Sequence, residues 1–377
     1  MSVLLVSPKA LILNGKPNLD LIEVLKKISE ESPVIVVSNH PEVSWFNGAF
    51  NGTGIVFRQE VGRQSGHVVR GIAAEYEQEA HNVVVLASSI EDVQMGKNGG
   101  AILIAANWSP NSKIAHLGIA ANSPAEFLHT ITLLNEWEGK WWFTAVHDLY
   151  SVFSLANLSG YNVTIDQQNF ADKLTAIVKN GGPKLNALLA ITARSLLSCE
   201  VESIPDLMWG VYPSSSSRNN DSDVLCDFTH RLRTTVSKVR FCKVGQPLFI
   251  RHKSSLKRSH SKTSDRRDPQ NQIETLHINP FYRNKIDGRN IIIMDDCTTY
   301  GLSFGVAAAF LKAANAVSVT GIALGKFGNQ LRHYDIVVNS DPFSPVTSND
   351  YTVQKVFEAD SNKHPEFNAQ LIKLLDD

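Results

Sequence analysis

The chain has 377 residues, of which 43% are hydrophobic, and its 36 Lys and Arg nearly balance its 37 Asp and Glu. This composition excludes a disordered polyelectrolyte, and the overall charge indicates no particular partner. A chain of this length exceeds the usual size of one hydrophobic core, so we expect two compact units joined by a connector.

The N-terminal residues and the cysteine spacing indicate the cellular compartment of the protein. The stretch MSVLLVSPK has no basic leader, and its apolar part is too short to cross a bilayer. The four cysteines form no C-x-x-C pair, so we predict neither a zinc site nor a disulfide framework. We therefore expect a cytoplasmic protein with no membrane partner.

Residues 1–122 alternate between short β-rich apolar runs and helical patterns. The apolar runs cover residues 3–6, 34–37, 83–86 and 101–105. This alternation predicts an α/β domain.

The strand ends of this domain resemble those of the haloacid dehalogenase (HAD) superfamily. The superfamily ends its first strand in Asp-x-Asp, where this chain has Ser7 and Lys9. The second strand ends at Ser38, a hydroxyl suited to a phosphate, and the fourth motif keeps Asp92 but has Ser88 in place of its first acid. The resemblance implies a degenerate HAD-like domain without its nucleophile and Mg²⁺ site, and therefore no phosphatase activity. Another Rossmann-like domain fits equally well, and either interpretation gives a structural, regulatory or ligand-sensing role.

Strand-like runs fade in residues 123–204, where apolar residues recur at helical spacing, as at Phe127, Ile131 and Leu134. The Gly-Gly-Pro at 181–183 interrupts this pattern. We predict a helical connector or cap made of at least two helices.

The α/β alternation returns over residues 205–340, and residues 341–377 form a C-terminal tail. Residues 291–294 are a continuously apolar run, typical of a parallel strand buried on both faces, and Asp295 and Asp296 follow it. Open α/β sheets bind ligands at that edge. The next residues after Cys297 offer hydroxyls, a glycine and the first amides of a helix, which suit a phosphate dianion. They are Thr298, Thr299, Tyr300, Gly301, Leu302 and Ser303.

Two carboxylates beside a phosphate site predict a ligand that carries both hydroxyls and phosphate, such as ribose 5-phosphate. The pattern of four apolar residues, Asp-Asp and Thr-Thr-x-Gly-x-Ser resembles the 5-phosphoribosyl-1-pyrophosphate (PRPP) signature of type I phosphoribosyltransferases. The family commonly has a small or β-branched hydroxyl residue where this chain has Tyr300. The alternative is an ordinary βαβ unit with a solvated acidic strand end, but the ordered combination favours the PRPP signature.

The resemblance implies that Asp295 and Asp296 position the ribose, that residues 298–303 hold the 5-phosphate and that Mg²⁺ is carried with PRPP. The predicted fold class is then α/β, with two Rossmann-like parallel-sheet domains joined by the helical connector. The first domain is HAD-like and the second is phosphoribosyltransferase-like.

A serine-rich stretch lies between a predicted strand at 207–212 and an amphipathic helix. It resembles the pyrophosphate loop of the family, with Arg218 as the catalytic cation. Its serines are Ser214, Ser215, Ser216 and Ser217. A plain serine-rich surface loop is the alternative, which would be favoured if the stretch were considered alone.

Residues 251–267 are basic and polar and precede the motif strand. The segment resembles the mobile catalytic loop that closes over PRPP, which would bring cations to the departing pyrophosphate and exclude water. Its candidate cations are Arg251, Lys253, Lys257 and Arg258. A disordered basic loop or a nucleic-acid contact remains an equal alternative. Along the chain, the serine-rich loop is followed by the basic segment, then by Gln270 or Gln272, and finally by the Asp-Asp pair. This order most resembles the ComF branch of the superfamily.

The leading functional hypothesis is transfer of ribose 5-phosphate from PRPP to an unidentified acceptor, often a nitrogenous base, with release of pyrophosphate. A second hypothesis is a regulator that senses PRPP or a nucleotide without turning it over. A third is a ComF-like factor that contacts nucleic acid through the basic segment, although no interleaved aromatic residues support it.

Overall fold

A computed structural model describes residues 2–114, 117–182, 184–238, 243–255 and 267–376. The chain divides into two compact units. The first unit comprises residues 1–139, 186–203 and 231–238, and the second comprises 140–185, 204–230 and 239–377. None of the helices in the described residues is long and apolar enough to cross a membrane.

The helices and strands are numbered in chain order through the whole chain. The elements of the first unit are given first. They are β1 (Val3–Val6), β2 (Ile12–Leu13), β3 (Lys16–Pro17), α1 (Leu19–Ser29), β4 (Val34–Ser38), α2 (Phe46–Phe50), β5 (Val56–Gln59), α3 (His67–Glu75), β6 (Val83–Ala87), α4 (Ile90–Gly99), β7 (Ile102–Ala106), β8 (Ile119–Ala121), α5 (Pro124–Glu136) and, after its first residue, α7 (Leu185–Leu197).

The first unit is built on a six-stranded sheet in the order β5-β4-β1-β6-β7-β8, and every pair is parallel. The inner strands β1, β4, β6 and β7 are buried along their whole length, as expected for parallel strands covered on both faces. Their carboxyl ends therefore share one edge of the sheet, where Ser7, Ser38 and Ser88 lie.

The second unit contains the remaining elements, with the division falling inside α8 after His230. They are β9 (Phe143–Ala145), β10 (Ser151–Asn157), α6 (Ile165–Asn180), β11 (Leu207–Val211), α8 (Val224–Val236), β12 (Phe249–Arg251), α9 (Gln270–Ile273), β13 (Leu276–Ile278), β14 (Asn290–Thr298), α10 (Leu302–Ala313), β15 (Ser318–Lys326), β16 (Arg332–Val338), β17 (Tyr351–Glu358), β18 (Asn362–Lys363) and α11 (Pro365–Asp376).

The second unit is built on a mixed sheet in the order β11-β14-β15-β10-β9-β18. The first four strands are mutually parallel, and β9 is antiparallel to both of its neighbours. The alanine-rich helix α10 is buried from Leu302 to Leu311, because its small side chains let it lie close to the sheet and to β16. This packing fixes the start of α10 next to the end of β14.

Two hairpins complete the second unit. Strands β12 and β13 pair antiparallel, with Arg251 opposite Leu276, so the two ends of the intervening basic stretch are held together. Strands β16 and β17 form the other antiparallel pair.

The structure confirms the α/β class but differs from the predicted helical connector over residues 123–204. That range contains strands β9 and β10, and its parts belong to both compact units. Strand β10 pairs with β15, which lies more than 160 residues later, so its stability comes from a distant partner that local periodicity does not show. The predicted tail 341–377 is likewise structured, contributing β17, β18 and α11 to the second unit.

Candidate functional site

Strand β14 brings two carboxylates to the carboxyl edge of the second sheet. The pairing with β11 ends where Val211 lies opposite Met294, whereas the pairing with β15 continues to Thr298. Asp295 and Asp296 therefore belong to β14 but lie beyond the end of its neighbour β11. This is the sheet edge at which the sequence predicted them.

The two aspartates differ in accessibility. Asp295 is 8% exposed, and its Oδ1 accepts a hydrogen bond from the Asp296 amide at 2.9 Å. Asp296 is half-buried, and its Oδ1 accepts from the Cys297 amide at 2.6 Å. Asp296 is therefore the carboxylate more open to a ligand.

The thiol between these acids and the loop is held in its neutral form. Burial raises the pKa of Cys297, and the carboxylates of Asp296 and Asp295 raise it further. A thiol with a raised pKa is a poor nucleophile, so this cysteine is not suited to covalent chemistry.

The 298–303 loop has a fixed backbone. The buried Thr298 hydroxyl accepts a hydrogen bond from the Gly301 amide at 3.1 Å, and the Tyr300 carbonyl accepts from the Arg332 amide at 3.1 Å. Gly301 has φ +79°, and a Cβ there would lie 2.9 Å from a Leu331 methyl carbon. Only glycine combines this conformation with this close approach.

The loop leads directly into α10 without a side-chain cap. Within the described part of the chain, no acceptor binds the amides of Thr299, Tyr300, Leu302 and Ser303. The side chain of Leu302 is buried in the core, so it can contribute only its amide. Open amides at the start of a 12-residue helix are suited to an anion.

The serine loop, residues 213–218, reaches the same edge as the 298–303 loop. It follows β11, which is the direct neighbour of β14, and the Tyr212 amide donates to the Met294 carbonyl at 2.8 Å. Because parallel neighbouring strands end at one edge, the two loops emerge side by side.

Backbone contacts shape the serine loop. The Ser217 amide donates to the Ser214 carbonyl at 3.2 Å, which closes a turn, and the Ser255 amide donates to the Ser215 carbonyl at 3.1 Å. Ser214 and Ser216 are exposed. The loop therefore presents hydroxyls to solvent on a constrained backbone.

Arg218 is exposed, and its side chain makes no hydrogen bond or ion pair with the residues that the structure describes. The neighbouring Asn219 is held in place, because its side-chain amide exchanges two hydrogen bonds of 2.8 and 3.1 Å with the Arg251 backbone. The arrangement leaves the Arg218 guanidinium available to an anion at the sheet edge.

Arg251 corrects one part of the sequence prediction. It is 4% exposed, and its guanidinium donates to four oxygens rather than being held ready for a ligand. The acceptors are the Ser214 carbonyl at 2.7 Å, the Thr275 hydroxyl at 2.7 Å, the Pro213 carbonyl at 3.1 Å and the Gln272 side-chain oxygen at 3.2 Å. Arg251 thus fastens the serine loop to the β12–β13 hairpin and is not a mobile cation.

Of the other three predicted cations of the basic segment, the structure describes Lys253 alone. Lys253 is exposed, and its amide lies 3.5 Å from the Thr275 carbonyl. Lys257 and Arg258 lie outside the described residues.

Sequence reasoning missed the polar partners that hold Arg251. Gln272 is buried and accepts from both Arg251 and the Tyr212 hydroxyl, the latter at 2.9 Å. The order of motifs singled out Gln270 or Gln272, but no sequence signal shows that either side chain is buried beside the serine loop.

Sequence reasoning also missed Lys326, which lies opposite Thr298 in the β14–β15 register and is fully buried. Its Nζ donates to the carbonyls of Gly328 at 2.6 Å and Gln330 at 2.9 Å. Burial, with a smaller contribution from the charge of Lys363, lowers the pKa of Lys326 to about 7. The ammonium is used to hold the turn after β15.

The edge of the first sheet is filled by its own side chains. Asp92 is fully buried, and its Oδ2 accepts from the Ser7 hydroxyl at 3.0 Å and from the Ser88 and Ser89 amides at 2.9 and 2.8 Å. Its Oδ1 lies 2.6 Å from the buried Arg63 guanidinium. Asp92 also belongs to the capping box at the start of α4, so its position is explained by structure alone.

Lys9 and Ser38, the other two positions compared with the HAD pattern, make contacts within the protein. Lys9 is exposed, 3.9 Å from the Glu91 carboxylate, and the Ser38 hydroxyl accepts from the His40 amide at 3.0 Å.

Considering the described ranges alone, no group of three or more His, Cys, Asp or Glu side chains is arranged to hold a metal ion. No known family model matches the chain, and no curated protein or solved structure matches it.

Proposed function

We propose that the second unit binds PRPP and transfers its ribose 5-phosphate to a nucleophilic acceptor, with release of pyrophosphate. One observation carries the proposal. A buried strand ends in two acids and is followed at once by a glycine turn whose amides open at the start of a helix. This combination provides acceptors for ribose hydroxyls next to donors for a phosphate.

Each loop has a separate part in this proposal. The carboxylates of Asp295 and Asp296 accept hydrogen bonds from the 2- and 3-hydroxyls, and Asp296, the more exposed, makes the main contact. The amides and hydroxyls of residues 298–303 bind the 5-phosphate. Arg218 and the serine hydroxyls meet the pyrophosphate as negative charge develops on it.

The reaction then depends mostly on position and charge. The acceptor attacks C1 as the C1–pyrophosphate bond breaks, and the bonding electrons leave with pyrophosphate. Fixing the ribose and both phosphate ends on one rigid sheet edge places C1 for attack. The step as written uses no thiol and no imidazole of the protein.

The carboxylates also suit a magnesium ion that arrives with PRPP. Mg²⁺ is usually bound by one or two carboxylates together with substrate oxygens and water, and this edge offers two carboxylates. Asp295 and Asp296 are the residues that would hold it, and the ion would neutralise pyrophosphate charge.

For the first unit we propose a doubly wound, HAD-like scaffold without phosphatase activity. The parallel strand order, with β1 between β4 and β6 and crossovers on both sides, supports the Rossmann-like assignment. The buried Arg63–Asp92 pair occupies the edge at which a phosphatase would need open carboxylates.

Calorimetric titration of the full chain with PRPP and Mg²⁺, together with pyrophosphate release over a panel of bases, tests the proposal. We expect Asp296→Asn to weaken PRPP binding at least tenfold, since hydrogen bonds to a charged group typically contribute about 1.5–3 kcal/mol. Asp287→Asn is the matched control, because Asp287 is exposed and precedes the opposite end of β14.

The outcomes separate the hypotheses. PRPP binding without pyrophosphate release from any base indicates a sensor rather than a transferase. Absence of binding by the wild type, or equal losses in Asp296→Asn and Asp287→Asn, refutes the assignment of the site.

A further inference from the structure

The turn that follows β15, residues 327–331, lies directly beside the proposed 5-phosphate loop. At the start of the turn, the Phe327 amide donates a hydrogen bond to the Thr298 carbonyl at 2.8 Å. Just after its last residue, the Arg332 amide donates to the Tyr300 carbonyl at 3.1 Å. The 327–331 turn is therefore joined to the phosphate loop at both of its ends.

A buried charge fixes the shape of this turn. Lys326 is fully buried, and its Nζ donates to the carbonyls of Gly328 at 2.6 Å and Gln330 at 2.9 Å. The Gly328 amide in turn donates to the Ser159 hydroxyl at 2.9 Å, in the segment that follows β10. A backbone held in this way keeps its exposed side chains in place, which lowers the entropy cost of binding a ligand.

The turn presents an aromatic ring and two carboxamides to solvent. Phe327 is 37% exposed. Single exposed apolar side chains are common on protein surfaces, so it is the position of this ring beside the phosphate loop that is informative. Asn329 and Gln330 are also exposed, and their carboxamides form no hydrogen bond with the residues that the structure describes. None of residues 327–330 is charged, which favours a neutral ligand over a charged one.

A nitrogenous base has the chemistry that this combination recognises. Its flat face stacks on an aromatic ring, and its edge carries both hydrogen-bond donors and acceptors. A carboxamide both donates and accepts, so it can match such an edge. Neighbouring strands lie about 4.8 Å apart, so a ribose held at the end of β14 lies one strand spacing from the turn after β15. A carboxylate acceptor would instead need a cation that the exposed part of this turn does not carry.

We propose that the 327–331 turn is the acceptor subsite and that it binds a neutral nitrogenous base. Phe327 stacks on the base, and Asn329 and Gln330 select it through its hydrogen-bonding edge. This inference rests on the proposed function and deepens it, because it names the class of acceptor and the side chains that recognise it. In the transfer, a ring nitrogen of the base forms the bond to C1 as the C1–pyrophosphate bond breaks. The bonding electrons leave with pyrophosphate, and the proton of that nitrogen passes to solvent.

The test measures binding of adenine, hypoxanthine and uracil to the full chain by equilibrium dialysis. Ribose 5-phosphate and Mg²⁺ are present and PRPP is left out, so no transfer occurs. We expect the wild type to bind at least one of the three bases. Phe327→Ala should weaken that binding about tenfold, and Phe327→Tyr should restore most of the loss, because stacking requires only an aromatic face. Val317→Ala is the control, because Val317 is 65% exposed and precedes the opposite end of β15.

The two carboxamides are tested by selectivity. Adenine and hypoxanthine differ at one edge, where an amino group replaces a carbonyl. Asn329→Leu and Gln330→Leu each remove a donor and an acceptor, so at least one of them should reduce the preference between these bases by about threefold to tenfold. Both variants should bind PRPP within about twofold of the wild type, since the residues proposed to hold PRPP are unchanged. An unaltered preference in both variants would refute the role of the carboxamides.

The failures of the two proposals are distinguishable. If the wild type binds neither ribose 5-phosphate nor PRPP, the proposed function falls and this inference falls with it. If the wild type binds PRPP but none of the three bases, the inference alone is wrong. The same conclusion follows if Phe327→Ala binds the base as tightly as Val317→Ala, or if PRPP releases pyrophosphate with ammonium but with no base. The melting temperature of each variant confirms its folding, and the exposed Asn329 and Gln330 provide variants that should fold even if Phe327→Ala does not.

Discussion

The Arg63 guanidinium lies 2.6 Å from the Asp92 carboxylate, and neither side chain is more than 5% exposed. A buried ion pair is costly to break, because the partner that remains is a charge without compensation. The pair therefore accounts for a fully buried Asp92 whose carboxylate is held inside the fold.

We predict that Asp92→Asn lowers the free energy of unfolding of the first unit by about 3–5 kcal/mol. The asparagine leaves Arg63 buried with its charge unpaired and weakens the capping of α4. Urea denaturation followed by circular dichroism measures the loss. The double variant Arg63→Met/Asp92→Asn should be more stable than Asp92→Asn, and a single variant as stable as the wild type would contradict this role.

Arg251 and Arg218 should separate stability from ligand binding. Arg251→Lys keeps the charge but loses the planar fork that reaches four acceptors, so we expect a stability loss of about 2–3 kcal/mol. Arg218→Gln should leave stability within about 0.5 kcal/mol, since its side chain is exposed, and should weaken PRPP binding. Thermal unfolding and PRPP titration of both variants provide the measurements.

The opposite pattern would change the assignment. If Arg251→Lys is fully stable and binds PRPP poorly, Arg251 is a ligand cation after all, as the sequence suggested.

The sequence predicted the edge of the second sheet well because the relevant residues are contiguous. An apolar strand, two acids, a glycine turn and a helix follow one another in 14 residues from Asn290 to Ser303, so local geometry determines most of the site. The φ of +79° at Gly301 and the uncapped start of α10 are consequences of that short stretch.

Residues whose roles depend on distant partners were not predictable in the same way. The residues next to Arg251 in the sequence are basic and polar. The oxygens that accept hydrogen bonds from its guanidinium, however, come from residues 213–214 and 272–275. Strand β10 was missed for the same reason, since its pairing partner β15 lies far along the chain. Tertiary contacts determine both the role of Arg251 and the formation of β10, and such contacts cannot be read from a single sequence.

Cys297 should react slowly with alkylating agents despite its place at the candidate site. Burial and the carboxylates of Asp296 and Asp295 raise the pKa of its thiol, so little thiolate exists at neutral pH. Iodoacetamide at pH 7.5 followed by mass spectrometry should label the exposed Cys199 before Cys297. Labelling of Cys297 should accelerate only in strongly alkaline solution, and rapid labelling at pH 7.5 would show that the thiol is more acidic than expected.

Lys326 predicts a specific dependence of stability on pH. Its folded-state pKa is about 7, whereas the unfolded chain restores the ordinary value of 10.5. Between these values the unfolded state binds more protons than the folded state, so the contribution of Lys326 to the free energy of unfolding rises with pH. Below pH 7 both states are protonated and the contribution no longer changes.

The measurement is the difference in the free energy of unfolding between the wild type and Lys326→Met, from urea titrations at pH 6, 7.5 and 9. From pH 7.5 to pH 9 the difference should move in favour of the wild type, by at most about 1.4 kcal/mol per pH unit for a single proton. Lys355→Met removes an exposed lysine of the same unit and should show no such trend. If the difference stays constant across this range, Lys326 keeps its proton in the folded state and the prediction is wrong. The hydrogen bonds to the carbonyls of Gly328 and Gln330 would then offset the cost of burying the ammonium.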